Sequence, residues 1–247
     1  MDDLMFTPEP RLAFLFAAAG IAGFVRGFSG FGGAMLFMPL ASLAYDPKLA
    51  VVWIFVSDVV ASLPMLFPAF RSWNWREVLP LSAGAMLVVP FGVEILKAVD
   101  PVALRWAMSG AILVTVALLA TGVRYEGRLP WQGSVGVGAL SGLTGGAIGM
   151  AGPPVVLLWL GGRDHAGQMR ANLIAYFGLL ALVRGLSLTY TGLMAGPQVI
   201  EGILLIPAYG LPLALGTRLF ARASDRYFRY GALGICAAAA LMGLPVW

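Results

Sequence analysis

Three charged residues stand where charge is expensive: Arg26, Asp58 and Arg184 each lie inside a long apolar run. A charged side chain in such surroundings is normally paired or turned towards an aqueous cavity. Arg26 comes 14 residues into its run, about 20 Å from the start at helical rise. Its guanidinium could attract an anion; it could equally pair with Asp58 or reach back to the interface along its apolar stem. Asp58 is then either that partner or a group that couples to protons or another ion. Arg184, deep in the sixth run, has the same two uses, coupling or a structural ion pair. Glu94 and Glu201 lie nearer the ends of their runs, where an interfacial position is an alternative.

A second source of chemistry needs no charged side chain. Two apolar runs are interrupted by glycine, one over Gly23, Gly27, Gly30, Gly32 and Gly33, the other over Gly142, Gly145, Gly146, Gly149 and Gly152, followed by Pro153 and Pro154. Glycine in a helix costs backbone entropy and proline removes a donor, so both runs predict broken helices. Where a helix restarts, its first N–H groups are unpaired and its positive end points at the gap, which suits an anion. The expected substrate contacts are Arg26, Ser29, Gly30, Gly32 and Gly33 at the first break, and Thr144, Gly149, Met150, Gly152 and Pro153 at the second. The alternative use of the same glycines is close helix crossing. Gly138, Gly142 and Gly146 form a small-xxx-small face, and Gly23 and Gly27 echo it.

Other chemistries lack their residues. Gly27 to Gly32 is followed by no Gly-Lys-Ser/Thr and is no dinucleotide fingerprint. His165, the single histidine, sits in a polar loop with no cysteine or carboxylate spaced to share zinc. No deep histidine serves a serine nucleophile, and no pair of catalytic aspartates stands out. The reading is therefore no enzyme, no catalytic residue, no metal and no cofactor. Cys236 is the only cysteine, which excludes a disulfide within the chain and leaves a small buried hydrophobe. Asn172, following Arg170, could cap a helix or help line a pathway.

The elements that must hold these residues are membrane helices. Of 247 residues 60% are hydrophobic and 11% charged, against about 25% charged in a soluble domain. The net charge of +4 is spread in ones to fours at the ends of apolar runs. That marks membrane topology and gives no basic face for nucleic acid. Asp2, Asp3 and Glu9 precede Arg11, the wrong charge for the start of a cleaved signal peptide. Apolar segments run over 12–44, 49–70, 78–97, 102–121, 131–161, 171–193, 198–218 and 227–246. The tryptophans mostly lie near their ends, as interface anchors do. The expectation is an all-α polytopic membrane protein: one transport domain over 1–247 with about eight transmembrane segments, of which segments 1 and 5 are broken or re-entrant.

The breaks also match each other. Gly23, Gly27, Gly30 and Gly33 recur 119 positions later, and Gly92, Arg105 and Gly110 recur 124 positions later as Gly216, Arg229 and Gly234. This predicts a duplication, 12–121 and 131–246, and paired interrupted segments point to a secondary transporter's binding site. With eight single crossings, five basic residues face one side and nine the other; with both broken segments returning to their own side, the split is four to ten. The second arrangement orients the chain more sharply. It puts loops 71–76, 124–128, 163–170 and 218–229 inside and makes the halves inverted copies.

The stretches GFVRGFSGFGGAMLFMPL at 23–40 and GLTGGAIGMAGPPVVLLWL at 142–160 resemble the signature halves of the TauE/SafE family, the sulfite/sulfonate exporter type of anion permease. The resemblance covers roughly residues 12–245. It implies a bacterial inner-membrane, multi-pass transporter of sulfur-containing anions, with the family's glycine segments falling on Gly27 to Gly33 and Gly149 to Pro154. Ala34 and Met35 stand where the second segment has its two prolines, a departure from equal halves. The expected function is secondary transport of a small anion, sulfite or an organosulfonate, by alternating access. A channel-like pathway or a non-transporting scaffold is the alternative. The expected partners are the lipid bilayer, the small anion and a proton or other coupling ion, with no nucleic acid; the sequence leaves the oligomeric state open.

Overall fold

The computed structural model describes residues 10–120, 129–160 and 166–220, and every regular element among them is helical. The order is α1 (Pro10–Ser29), α2 (Gly33–Ala44), α3 (Pro47–Ser72), α4 (Trp75–Ala98), α5 (Pro101–Ala120), α6 (Trp131–Ala147), α7 (Gly152–Leu160), α8 (Ala166–Tyr190), α9 (Gly196–Leu204) and α10 (Ile206–Phe220). His165, Cys236, Arg222, Arg229 and the expected last segment, 227–246, lie outside the described residues.

Local chemistry sets several starts. Pro47 and Pro101 open α3 and α5, where the missing N–H has no helical partner to lose. Asp46 accepts from Lys48 N at 2.7 Å and Asp100 from Val102 N at 2.8 Å, each satisfying a free donor of the first turn. Outward faces are apolar: Leu87 and Leu186 are 70% and 72% exposed, which suits lipid and would be costly in water.

The expectation of eight spans in duplicated, inverted halves does not hold. Among the described residues four helices are long and apolar enough to cross a membrane: α1, α3, α4 and α8. The count becomes five if α9 and α10, bent by 44° at their junction, act as one span. The reason is length. An α-helix rises about 1.5 Å per residue against a hydrocarbon layer of about 30 Å, and the pieces beside the breaks are short, 12 residues in α2 and 9 in α7. Nor do the halves match element for element. The 24-residue α4 is continuous, whereas the segment expected to copy it is divided at Leu205.

Two helix pairs form the tightest seams, α4 with α6 and α1 with α10. A side chain built on Gly138 would strike Leu81, one on Gly142 would strike Ala85, and one on Gly146 would strike Val89, in each case at the backbone. The constant offset means that α4 and α6 run parallel. Gly23 and Gly27 lie in the same way on the backbone of Tyr209 and Leu213, so α1 and α10 also run parallel. Glycine permits this approach because it carries no Cβ, and without a hydrophobic force between helices in lipid, such packing does much of the holding.

Candidate functional site

The chain leaves helical geometry at both glycine segments. Gly30 and Gly32 have φ of 79° and 83°, and Gly149 has φ of 76°. These left-handed conformations strain any residue with a Cβ. Pro153 sits in the first turn of α7, where proline is tolerated.

Unwound backbone at membrane depth has to find partners within the protein. At the first break Arg26 Nη1 donates to Gly30 O, closing the end of α1 with a positive charge where the helix dipole is negative. Ser29 Oγ lies 2.8 Å from Val25 O and 2.7 Å from Phe31 O, and accepts from Phe31 N at 3.3 Å. At the second break Ser141 donates to Ala151 O, and Tyr176 donates to Ser141 Oγ at 2.6 Å. Thr144 O accepts from Ile148 N and Met150 N.

Between the two breaks lies a cavity of about 70 Å³. The start of α2 (Gly32, Gly33) and the segment entering α7 (Gly149 to Gly152) line it, together with Arg26, Asp58 and Arg184. A water needs about 10–15 Å³ measured this way, so the space holds about five waters or one small anion.

Its charges are unequally matched. Arg26, 4% exposed, binds Asp58 through Nε at 2.9 Å. Asp58 Oδ1 also accepts from Ser62 Oγ at 3.0 Å and from Tyr209 Oη at 2.8 Å. Arg184 has no ion pair among the described residues, and its Nε and Nη2 are buried without a hydrogen-bond partner. Both guanidiniums rest on aromatic rings, Arg26 on Phe177 at 4.9 Å and Arg184 on Phe55 at 5.6 Å. Stacking of this kind steadies a cation while leaving its N–H edge free. Among the described residues, two positive charges and one negative leave the cavity with a surplus of one positive charge. Two helix starts add their partial positive ends.

Of the residues expected at the substrate, Arg26, Gly32, Gly33, Gly149, Met150 and Gly152 line this cavity, with Asp58 and Arg184. Ser29, Gly30, Thr144 and Pro153 do not: Ser29 is committed to backbone around the break, Gly30 packs on Arg170, and Thr144 bonds Leu140 O and Ser141 O. Asn172 ties α8 to the α3–α4 turn, its Oδ1 accepting from Asn74 N at 2.7 Å. Glu94 is exposed, and Glu201 accepts from Trp53 Nε1 at 2.7 Å. Sequence reasoning missed Tyr209, Ser62, Phe55 and Phe177. The last two follow the sort of rule that could have found them, since a buried arginine with too few carboxylates wants a ring. Among the described residues no group of three His, Cys, Asp or Glu could hold a metal ion.

The family model described as "Sulfite exporter TauE/SafE" matches residues 15–243. A curated protein of Cupriavidus necator, named "Probable sulfite/organosulfonate exporter TauE", is 24% identical over 243 residues, covering 94% of each chain. No solved structure matches.

Proposed function

The chain belongs to the sulfite exporter TauE/SafE family, a multi-pass protein of the inner membrane, and from that premise we propose that it is a secondary transporter of a small anion, sulfite or a short organosulfonate. The observation that carries the reading is Arg184, half-buried, whose Nε and Nη2 are buried and unpartnered at a cavity that already contains one balanced ion pair. A buried cation left unpaired is strongly unfavourable, and an anion seated between it and the helix starts removes that cost. The similar exporter is named for sulfite and organosulfonates, and a four-heavy-atom oxyanion suits a cavity of about 70 Å³. Arg26 and Asp58 then act as a fixed pair beside the anion, with Gly32, Gly33, Gly149 and Gly152 exposing backbone donors to it. Alternating access follows as the mode, because a small cavity between two breaks holds one anion at a time and must open to each side in turn.

Counterflow in proteoliposomes tests this with sulfite, sulfoacetate, taurine and simple carboxylates. The expected result is saturable uptake of sulfite or a sulfonate, accelerated by the same anion inside. A current that rises without saturation, or no anion movement at all, overturns the carrier reading.

A further inference from the structure

A second, larger cavity opens between α3, α8 and α10, about 570 Å³ against about 70 Å³ for the central one. Along α3 the two follow one another: Ile54, Phe55, Asp58 and Val59 line the central cavity, and residues from Val60 to Ser72 line the larger. Its walls are largely apolar, with Val60, Met65, Ile174, Ile206 and Leu213 among them, and Gly167 and Gly210 keep it wide. Arg170, Arg218 and Thr217 also line it, and none of the described lining residues is acidic.

Among the described residues Arg170 is held in place without a counter-charge. Its Nη2 donates to Gly27 O at 2.6 Å and to Thr217 Oγ1 at 3.2 Å, and its guanidinium lies 4.7 Å over the ring of Phe220. Nε is buried with no hydrogen-bond partner, and Arg170 forms no ion pair among the described residues. A guanidinium fixed by two hydrogen bonds and a ring, with a donor still open, is preorganised for an oxyanion. A central-cavity substrate accounts for none of this, since Arg170 does not line that cavity.

We propose that this cavity is a second anion site, taking an oxyanion carried on an apolar stem, with Arg170 and Arg218 at the headgroup and the walls of α3, α8 and α10 around the stem. The required ligand chemistry differs from that of the central cavity in size and in its apolar part. A longer-chain sulfonate and an anionic lipid both carry it.

The test is calorimetric titration of the full chain, reconstituted in phosphatidylcholine nanodiscs, with sodium hexane-1-sulfonate and separately with sodium sulfite. Hexanesulfonate should bind the unaltered protein. Arg170→Gln should weaken it at least tenfold, as should Ala214→Phe, which fills the cavity without touching the Arg170 contacts. Neither change should alter sulfite affinity more than about twofold, and Arg184→Gln should leave hexanesulfonate binding intact. Adding phosphatidylglycerol to the discs separates the two sources. A loss of hexanesulfonate affinity beyond any loss for sulfite assigns the site to a lipid headgroup, and equal changes assign it to a soluble anion. The proposal is overturned if hexanesulfonate does not bind in either disc, or if its affinity survives both Arg170→Gln and Ala214→Phe. It is also overturned if hexanesulfonate competes with sulfite for one site lost in Arg184→Gln. Failure of sulfite to bind bears on the central cavity alone, because the second site is judged by the hexanesulfonate titrations.

Discussion

Tyr209 donates its hydroxyl to Asp58 at 2.8 Å, joining α10 to α3 at the carboxylate that also holds Arg26. A hydrogen bond to a charged acceptor contributes about 1.5–3 kcal/mol, and removing it leaves the carboxylate one donor short. Tyr209→Phe keeps the ring and the backbone that lies against Gly23, and deletes only the hydroxyl. It should lower thermal stability in detergent by an amount in that range, without dispersing the protein. An unchanged unfolding midpoint contradicts the role given to this contact.

The Arg26–Asp58 pair should show the asymmetry of buried ion pairs. Arg26→Ala alone strands a carboxylate and should cost about 3–5 kcal/mol, whereas replacing both partners by apolar residues of similar size should cost far less. Thermal unfolding of Arg26→Ala, Arg26→Met, Asp58→Leu and the Arg26→Met/Asp58→Leu double variant decides it. Additive losses exclude the pairing as the reason these charges are tolerated.

Arg184 should govern anion affinity more than fold. Arg184→Gln is expected to weaken sulfite binding at least tenfold, with Arg184→Lys intermediate because the charge stays and the fork is lost. Gly149→Ala should act on the same quantity. Its Cβ would come within 3.4 Å of Arg184 Nη2 at a φ of 76°. Calorimetric affinities on monodisperse protein are the measurement, and native affinity in both Arg184 variants removes this residue from the site.

How much of this was legible in the sequence depended on the range of the signal. The breaks were readable because left-handed glycines and a Pro-Pro pair act locally, within a turn. Arg26 with Asp58 was readable as one of three alternatives, since a charge in an apolar run needs an explanation. Tyr209 was not, because nothing marks one tyrosine among others when its partner is 151 positions away. The number of spans was misread because an apolar run records what faces lipid or core and not where a helix bends, as at Leu205. The sequence also left open whether its glycines turn the chain or pack it. Gly30, Gly32 and Gly149 turn it, whereas Gly138, Gly142 and Gly146 pack it.

That division is itself testable. Gly142→Ala would press a methyl into the backbone of Ala85, and overpacking of this kind costs about 1–3 kcal/mol. At Gly110 a Cβ would meet nothing within 4 Å, so Gly110→Ala should be neutral or stabilising by about 0.5–1 kcal/mol from helix propensity alone. Unfolding midpoints of the two variants should therefore move in opposite directions or differ by several degrees. Equal shifts refute the assignment of Gly142 to the seam.

The seam between α1 and α10 has a mechanical meaning as well. Where Gly23 and Gly27 bring two backbones together, no side chain intervenes whose rotamer could absorb a displacement. Such helices slide or tilt as one strut. Arg26 rides on α1 and Tyr209 on α10, and both grip the same oxygen of Asp58 on α3. Any stroke that parts the strut from α3 must therefore release both contacts in a single event, so the carboxylate is either held by all three donors or left with Ser62 of its own helix.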